Sequence, residues 1–348
     1  MRHTDVSQLL VDAARAGDQG AFAELAGPYR HELQVHCYRM LGSVEDAEDV
    51  VQETYLRAWT RLGSFAGRAP FRAWMYGIAT HACLDALRRK KARVWPTDVA
   101  GPADPNKAPS PTVELRWLQP YPDRLLPDGL LEVPAPPDAE PEAVVTSRET
   151  IELAFLAAIQ RLSARQRAVL ILRDVLEWSA KETADALEMT QAAVNSALQR
   201  ARSTLAQHLP EGHAGKSATS NATEKALLKQ VVAAWEGADT AALVGLLRAD
   251  ARLVMPPRLA WFDGRDAVEI FLRDHVFGEM GTGWLLVPTA ANRQPAFALY
   301  WREPGDTAHR QFAIVVLRVD EGAIGEIAVF MQPELFSTFA LPATLATS

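Results

Sequence analysis

A proline-rich stretch in the middle of the chain limits what the sequence can fold into. Half of the 22 prolines lie between residues 102 and 141 of the 348. Because proline fixes φ and has no backbone donor, long helices and central strands are excluded from this stretch. We therefore predict a semi-extended linker over residues 96–148. Within it the sequence WLQPYPDRLL, residues 117–126, is too apolar for a spacer and favours either a docking segment or a locally collapsed loop.

A second break, small and polar, lies at residues 211–223 and indicates a flexible hinge. Beyond it, helical patterns are followed by strand-like runs that turn signals such as Asn292-Arg293 separate. Helices followed by hairpin-linked strands favour an α+β domain with a curved antiparallel sheet. The predicted organisation is a helical block at 5–95, the linker at 96–148, a second helical block at 149–209, the hinge at 210–220 and the α+β domain at 221–345.

Charge and cysteine content narrow the classes of function. The formal net charge of −7 argues against a protein that coats nucleic acid unaided. Basic residues concentrate at 88–93 and acidic ones at 45–53, which indicates one surface for phosphate and another for a basic protein partner. Cys37 and Cys83 lack metal-ligand spacing, so we expect buried, reduced thiols and neither a metal nor a cofactor. With no bilayer-length apolar run and no signal peptide, we expect a cytoplasmic protein without membrane contact.

The pattern near residues 178–205 predicts a helix-turn-helix. Ser179 and Glu182 form a capping box, and Thr190 caps the next helix. The opposite sides of that second helix differ: one is polar, with amides and arginines that suit base edges and phosphates, and the other is apolar. The apolar stripe is Val194, Leu198, Ala201 and Leu205. The pattern alone leaves open an ordinary helical hairpin with a solvated face.

Residues 162–205, which contain RQRAVLILRDV and VNSALQRAR, resemble region 4 of the extracytoplasmic-function (ECF) sigma factors. In that family region 4 binds the −35 promoter element and the flap of the polymerase β subunit. The resemblance therefore assigns −35 contacts to the polar side of the motif. These residues are Lys181, Thr190, Gln191, Asn195, Ser196, Gln199, Arg200 and Arg202.

An acidic helix is predicted at residues 46–59, DAEDVVQETYLRAW. Acidic and apolar residues fall on different faces at helical spacing, and such an acidic stripe is often only a solvated face. The stretch resembles the helix of sigma region 2 that docks on the clamp helices of the polymerase β′ subunit. The resemblance assigns core polymerase binding to Asp46, Asp49, Gln52 and Glu53.

Aromatic and basic residues alternate over residues 65–93, which end in a cationic run. Aromatic faces can hold unstacked bases while cations grip the backbone, although a buried aromatic core is the alternative. The segment resembles sigma regions 2.3 and 2.4, which capture and melt the −10 element. The residues assigned on that basis are Arg68, Arg72, Trp74, Tyr76, His81, Arg88, Arg89, Lys90 and Arg93. Gly77 and His81 depart from the family, which often carries Arg or Lys and Asn there.

The C-terminal block resembles the SnoaL-like cone, in which helices and a curved sheet enclose a pocket, through phrases such as GRDAV and PAFALY. Its pocket candidates are Trp261, Asp263, Trp284 and Tyr300. Asp263, Asp266 and His275 are acid/base candidates, but each also fits a turn, a helix start or a helix end. Catalysis, ligand sensing and regulatory protein docking all stay open, and we favour the last.

Together these patterns predict a multidomain fold: two all-α sigma domains, a region 2 bundle and a region 4 helix-turn-helix, and an α+β SnoaL-like cone. The predicted function is a sigma factor, itself not an enzyme, that the cone modulates. Its expected partners are core RNA polymerase and promoter DNA, with an anti-sigma protein or a small ligand left open. The alternatives are a SnoaL-like isomerase or cyclase with an accessory DNA-binding segment, and a one-component repressor.

Overall fold

The computed structural model describes residues 2–67, 69–127, 149–209 and 221–346. These residues form two compact units. The first, here called the helical unit, contains the described residues up to 93 and from 125 to 209. The second, here called the cone unit, contains residues 94–124 and 221–346. The first half of the predicted linker thus belongs to the C-terminal unit.

The N-terminal part of the helical unit is a bundle in which α3, α4 and α5 pack on one another. Its helices begin and end at defined caps. At the starts of α2 and α4, Asp18 and Ser43 accept hydrogen bonds from the amides of Ala21 and Asp46, and α3 ends at Gly42, whose φ is 69°. The helices are α1 (Arg2–Arg15), α2 (Gln19–Ala26), α3 (Arg30–Leu41), α4 (Val44–Arg61) and α5 (Phe71–Arg89).

The remaining helices of this unit are shorter, except for the last. They are α6 (Leu153–Gln160), α7 (Ala164–Leu170, continued by a π turn to Val175), α8 (Ala180–Leu187) and α9 (Gln191–His208). The predicted burial of Cys37 and Cys83 is confirmed, since both are buried in the bundle. Burial raises the pKa of the Cys83 thiol, which keeps it protonated. No helix among the described residues is both long and apolar enough to cross a bilayer.

The cone unit is a mixed sheet with helices, in the strand order β2-β1-β6-β5-β4-β3, with the short β7 added to β5. Its helices are α10 (Asn221–Glu236), α11 (Thr240–Gly245), α12 (Arg265–Phe271, continued as a π-helix to Glu279) and α13 (Glu334–Thr338). Its strands are β1 (Leu247–Val254), β2 (Trp261–Asp263), β3 (Trp284–Ala291), β4 (Gln294–Trp301), β5 (Ala308–Asp320), β6 (Ala323–Phe330) and β7 (Thr344–Ala346).

The sheet differs from the predicted antiparallel one at a single pairing. Strands β1 and β6 run parallel, because the chain between them crosses over through α12 and the β3–β5 meander before it returns beside β1. The predicted hairpin turns are present, and their residues have the positive φ that two-residue hairpins need, 56° at Asn292 and 58° at Arg293. Register shifts at Leu299/Tyr300 and Arg318/Val319 interrupt the pairings of β5.

Within the cone unit, the linker residues 94–124 are bonded to the sheet and its loops. The indole of Trp261 donates to the Ala100 carbonyl at 2.8 Å, and the Val113 amide donates to the Pro257 carbonyl at 3.0 Å. Tyr121 exchanges two hydrogen bonds with Asn292, one of 2.8 Å to the side-chain oxygen and one of 2.9 Å from the amide. Tyr121 therefore docks on the sheet, whereas the indole of Trp117 donates to the Val113 carbonyl within the same segment at 3.2 Å.

Candidate functional sites

The helix-turn-helix is built from local caps. The Ser179 hydroxyl accepts from the Glu182 amide at 3.1 Å, and the Glu182 carboxylate accepts from the Ser179 amide at 2.8 Å. Helix α8 ends at Glu188, whose φ is 52°, and the Thr190 hydroxyl accepts from the Ala193 amide at 3.2 Å to start α9. These caps and the buried stripe of α9 are as predicted. The sequence therefore fixes the turn by interactions only three residues apart.

All the side chains assigned to −35 contacts are exposed. Four of them nevertheless have hydrogen-bond partners inside the protein, and Thr190 is one of them as the cap of α9. Arg202 forms a two-pronged ion pair with Asp174 at 2.9 and 2.8 Å, and this pairing raises the pKa of its guanidinium. Arg200 donates to the Ser196 hydroxyl at 2.9 Å. The first turns of α9, with Gln191 and Asn195, thus present amides, while Arg202 also ties α9 to the end of the π turn.

An exposed acidic face on α4 comprises Asp49, Gln52 and Glu53. Next to it Leu56 is 63% exposed, a large apolar side chain at the i+7 position from Asp49. Sequence reasoning missed Leu56, although its place on a polar helix face was visible. An exposed leucine framed by carboxylates suits a partner surface that is basic around an apolar patch.

Asp46 lies apart from this acidic face. Its side chain is only 13% exposed and accepts hydrogen bonds from Lys90 at 2.7 Å and Arg93 at 2.6 Å. It therefore anchors the cationic run after α5 to the start of α4. Asp46, Lys90 and Arg93, which the sequence assigned to two separate interfaces, thus form one cluster of intramolecular ion pairs.

The aromatic residues assigned to the −10 element lie in or near the core. Tyr76 is 2% exposed, with its ring 5.1 Å from that of His36 and 6.1 Å from that of Trp178. Trp74 is half-buried and packs on Phe65, with ring centroids 5.2 Å apart. This arrangement corresponds to the aromatic core that the sequence left as the alternative.

The basic residues of the same segment vary in exposure. Arg72 is exposed, pairs with Glu32 at 2.6 Å and covers the Tyr76 ring at 4.9 Å. Arg88 and Arg89 are exposed, and Arg88 pairs with Asp85. His81 is half-buried, and Arg68 lies outside the described residues. A Cβ added at Gly77 would meet no atom within 4 Å, so the surroundings leave room for the start of a side chain there.

A buried arginine joins the two halves of the helical unit. Arg167 on α7 is 1% exposed and donates to the carbonyls of Ile159 at 2.9 Å and Gln160 at 2.8 Å, and to the Gln160 side chain at 2.7 Å. It also donates to the Met40 carbonyl at the end of α3. Burial lowers the pKa of Arg167 to about 10. Sequence reasoning missed this residue because its partners are up to 127 residues away.

The cone unit encloses a cavity of about 310 Å³, with mostly apolar walls. Trp284 lines it, whereas three other pocket candidates do not. Trp261 points its indole at the Ala100 carbonyl, and the Tyr300 hydroxyl donates to the Pro342 carbonyl at 2.8 Å. Asp263 is 47% exposed and pairs with Arg252 at 2.8 Å. Each of the three is occupied by a structural contact outside the cavity.

Of the acid/base candidates, only His275 lines the cavity, while Asp266 is exposed on the first turn of α12. Sequence reasoning missed Trp235 and Glu279, which also line it. The i+4 spacing of His275 and Glu279 was the available signal for the second of these.

Comparison with known proteins decides the family. The Sigma-70 region 2 model matches residues 25–93, and the Sigma-70 region 4 model matches residues 152–205. The ECF RNA polymerase sigma factor SigG of Mycobacterium tuberculosis is 41% identical over 348 residues, 99% of this chain and 91% of that protein. SigW of Bacillus subtilis is 30% identical over 200 residues, 57% of this chain and 94% of that protein.

This chain belongs to the ECF family of RNA polymerase sigma factors. The crystal structure of Mycobacterium tuberculosis SigJ has the same overall fold, with a TM-score of 0.59, 21% identity, and coverage of 92% of this chain and 99% of that one. The predicted fold class, two helical sigma regions with an α+β cone, is confirmed. In this ECF sigma factor, regions 2 and 4 pack together in the helical unit, across Arg167 and the Tyr76–Trp178 contact.

A buried histidine in region 2 of this sigma factor predicts acid sensitivity. His36 is fully buried beside Thr80, at 2.9 Å, and burial with the charge of Arg39 lowers its pKa to about 3 from 6.5. Below pH 6.5 the unfolded chain takes up a proton that the folded chain does not, so the free energy of unfolding should fall by about 1.4 kcal/mol per pH unit. Urea unfolding between pH 4 and 8 measures this slope.

The variant His36→Gln keeps an amide that can bond Thr80 but does not titrate, so its stability should depend less steeply on pH below 6.5. His208→Gln, at an exposed position on α9, is the control and should keep the slope of the natural chain. Parallel curves for His36→Gln and the natural chain would show that His36 is not the source.

Proposed function

We propose that this ECF sigma factor, acting in the cytoplasm, recruits core RNA polymerase and opens promoters without chemistry of its own. The observation that carries the proposal is the exposed acidic face of α4 with Leu56 beside it, in a chain that also exposes the polar side of α9. The acidic face suits the clamp helices of the β′ subunit. The polar side of α9 suits the −35 element, and region 4 also suits the flap of the β subunit.

The −10 element requires a change within the helical unit. Tyr76 is buried between His36 and Trp178, so region 4 covers it when regions 2 and 4 are packed together, whereas Asp46 holds Lys90 and Arg93 within region 2 itself. We propose that polymerase binding separates region 4 from region 2 and thereby makes Tyr76 accessible. Arg72, Arg88 and Arg89 are exposed already and would hold the DNA backbone in either state.

The cone unit supports a regulatory role through the linker. Residues 94–124 connect region 2 to the remainder of the chain before region 4, and they are held on the cone by the Trp261, Pro257 and Asn292 contacts. A linker fixed in this way has less freedom to extend when regions 2 and 4 separate. We propose that the cone thereby restrains promoter engagement.

Removal of residues 210–348 should raise promoter output. Release of the linker should favour the state in which regions 2 and 4 are separated. A coupling free energy at the low end of the range usual for allosteric proteins gives about a fivefold higher transcript yield. Run-off transcription with core polymerase on a genomic promoter library measures this for the full and shortened chains. The variant Trp261→Phe, which removes only the indole bond to Ala100, should raise the yield by less. Equal yields from all three proteins would contradict regulation by the cone.

A further inference from the structure

The cavity of the cone unit has the size and lining of a small-molecule site. Its volume of about 310 Å³ lies at the lower end of the range for such sites. Leu253, Met255, Leu299 and Val329 supply apolar wall from the sheet, and α10 and the extended α12 supply the remainder.

Two buried polar atoms on the lining lack a partner. The indole nitrogen of Trp235 and the Nε2 atom of His275 are shielded from solvent, and neither has a hydrogen-bond partner in the part of the chain that the structure describes. Trp235 is 3% exposed and the His275 side chain 12%. Because buried polar groups in folded proteins are nearly always paired, these two atoms point to a molecule that binds between the walls.

The hydrogen bond at Nδ1 of His275 determines which hydrogen-bonding group the bound molecule must carry. Its Nδ1 atom lies 2.7 Å from the Glu279 carboxylate, which acts as acceptor and fixes the proton on Nδ1. In the neutral ring this leaves a lone pair at Nε2 and in the charged ring a donor, whereas the Trp235 indole can only donate. A hydroxyl group both donates and accepts, so it satisfies either atom.

The linker forms part of the same cavity. Ala108 and Pro109 line it together with Arg258, whose guanidinium donates to the Ser110 carbonyl at 2.7 Å. The Arg258 guanidinium is thus hydrogen-bonded to the linker backbone, and the remaining walls of the cavity favour an uncharged ligand. A molecule in the cavity would touch the linker and the cone at once, which strengthens their association.

We propose that this cavity binds an uncharged, largely apolar molecule that carries a hydroxyl group, and that its binding stabilises the docked linker. The recognition elements are the His275–Glu279 pair, the Trp235 indole and the linker wall at Ala108 and Pro109. The proposal concerns the cone unit alone, and its test needs neither polymerase nor promoter.

Titration calorimetry of the full chain with 2-naphthol, and with naphthalene as the matched probe that lacks the hydroxyl, tests the proposal. We expect 2-naphthol to bind about tenfold more tightly, the factor for one buried hydrogen bond. Amide hydrogen exchange at Ala103 and Val113, which donate to Trp261 and Pro257, should slow when 2-naphthol is bound. No binding of 2-naphthol, equal binding of the two probes, or unchanged exchange at both amides would overturn it.

Variants locate the site. His275→Phe should reduce the affinity for 2-naphthol to that for naphthalene, while Asp274→Asn, an exposed neighbour outside the lining, should bind as the natural chain does. If His275→Phe fails to fold, Trp235→Phe and the cavity-filling Val329→Phe serve instead, and Val329→Phe should abolish binding of both probes. Binding of 2-naphthol that none of these variants reduces would overturn the assignment to this cavity.

Discussion

Charge reversal at Asp49 and Glu53 is expected to abolish co-purification of this sigma factor with core RNA polymerase. Both carboxylates are exposed on α4, and Glu53 is oriented by Arg57 at 2.7 Å. Replacing them with lysine turns an attraction for a basic partner into a repulsion, and each unfavourable charge contact at an interface costs several kcal/mol. We therefore expect the double variant Asp49→Lys/Glu53→Lys to lose more than a hundredfold in affinity. A pull-down with purified core enzyme measures it.

Two controls separate polymerase binding from folding and from net charge. Glu24→Lys reverses an exposed charge on α2 of the same region and should co-purify as the natural chain does. Leu56→Arg should weaken binding without reversing an acid, because it removes the apolar contact beside the acidic face. Retention of polymerase by a folded Asp49→Lys/Glu53→Lys variant would refute the assignment of these two residues to polymerase binding.

Truncation of Arg167 is expected to destabilise the helical unit by about 3 kcal/mol or more. Arg167→Ala removes the donors for the Gln160 and Met40 carbonyls and for the Gln160 side chain, and each buried acceptor left without a partner costs about 1–3 kcal/mol. Because Met40 lies in region 2 and Arg167 in region 4, the contact between the regions should weaken as well. Urea unfolding of the full chain, with hydrogen exchange of α3 and α7 amides to identify the transition, gives the value.

The matched control is Arg165→Ala, two residues earlier on the same helix and exposed, which should change the free energy of unfolding by less than about 0.5 kcal/mol. Arg167→Met keeps the aliphatic volume but no donor, so it should resemble Arg167→Ala. If Arg167→Met were as stable as the natural chain, packing rather than hydrogen bonding would explain the role of the arginine.

Features held by short-range interactions were predictable from sequence. The Ser179–Glu182 and Thr190 caps act over three residues, and the apolar stripe of α9 repeats at helical spacing, so both could be derived without the fold. The same holds for the hairpin turn at Asn292 and Arg293, which depends on local backbone geometry. The order of elements and the family followed from these local patterns together.

Features that depend on distant contacts were not predictable. Asp46 and Glu53 carry the same charge on one helix, but Asp46 meets Lys90, 44 residues away, and so leaves the exposed face. The sequence predicts that Tyr76 stacks on a DNA base, yet Trp178 and His36 bury it. In the cone, Asp263 lies on the surface and His275 in the cavity because strand pairing and the π-helical continuation of α12 decide which way each faces.

The docked linker changes what counts as a transferable domain in this protein. The sheet ends at β2 on one side and β3 on the other, and the linker bonds to both, through Ala103 to Trp261 and through the Pro122–Ala291 bridge. Strand edges left uncovered invite pairing with other chains. A cone excised at residue 221 would expose both edges, whereas one that carries residues 94–124 would keep them covered. Grafting this regulator onto another sigma factor therefore requires moving the linker and the cone together as a single cassette.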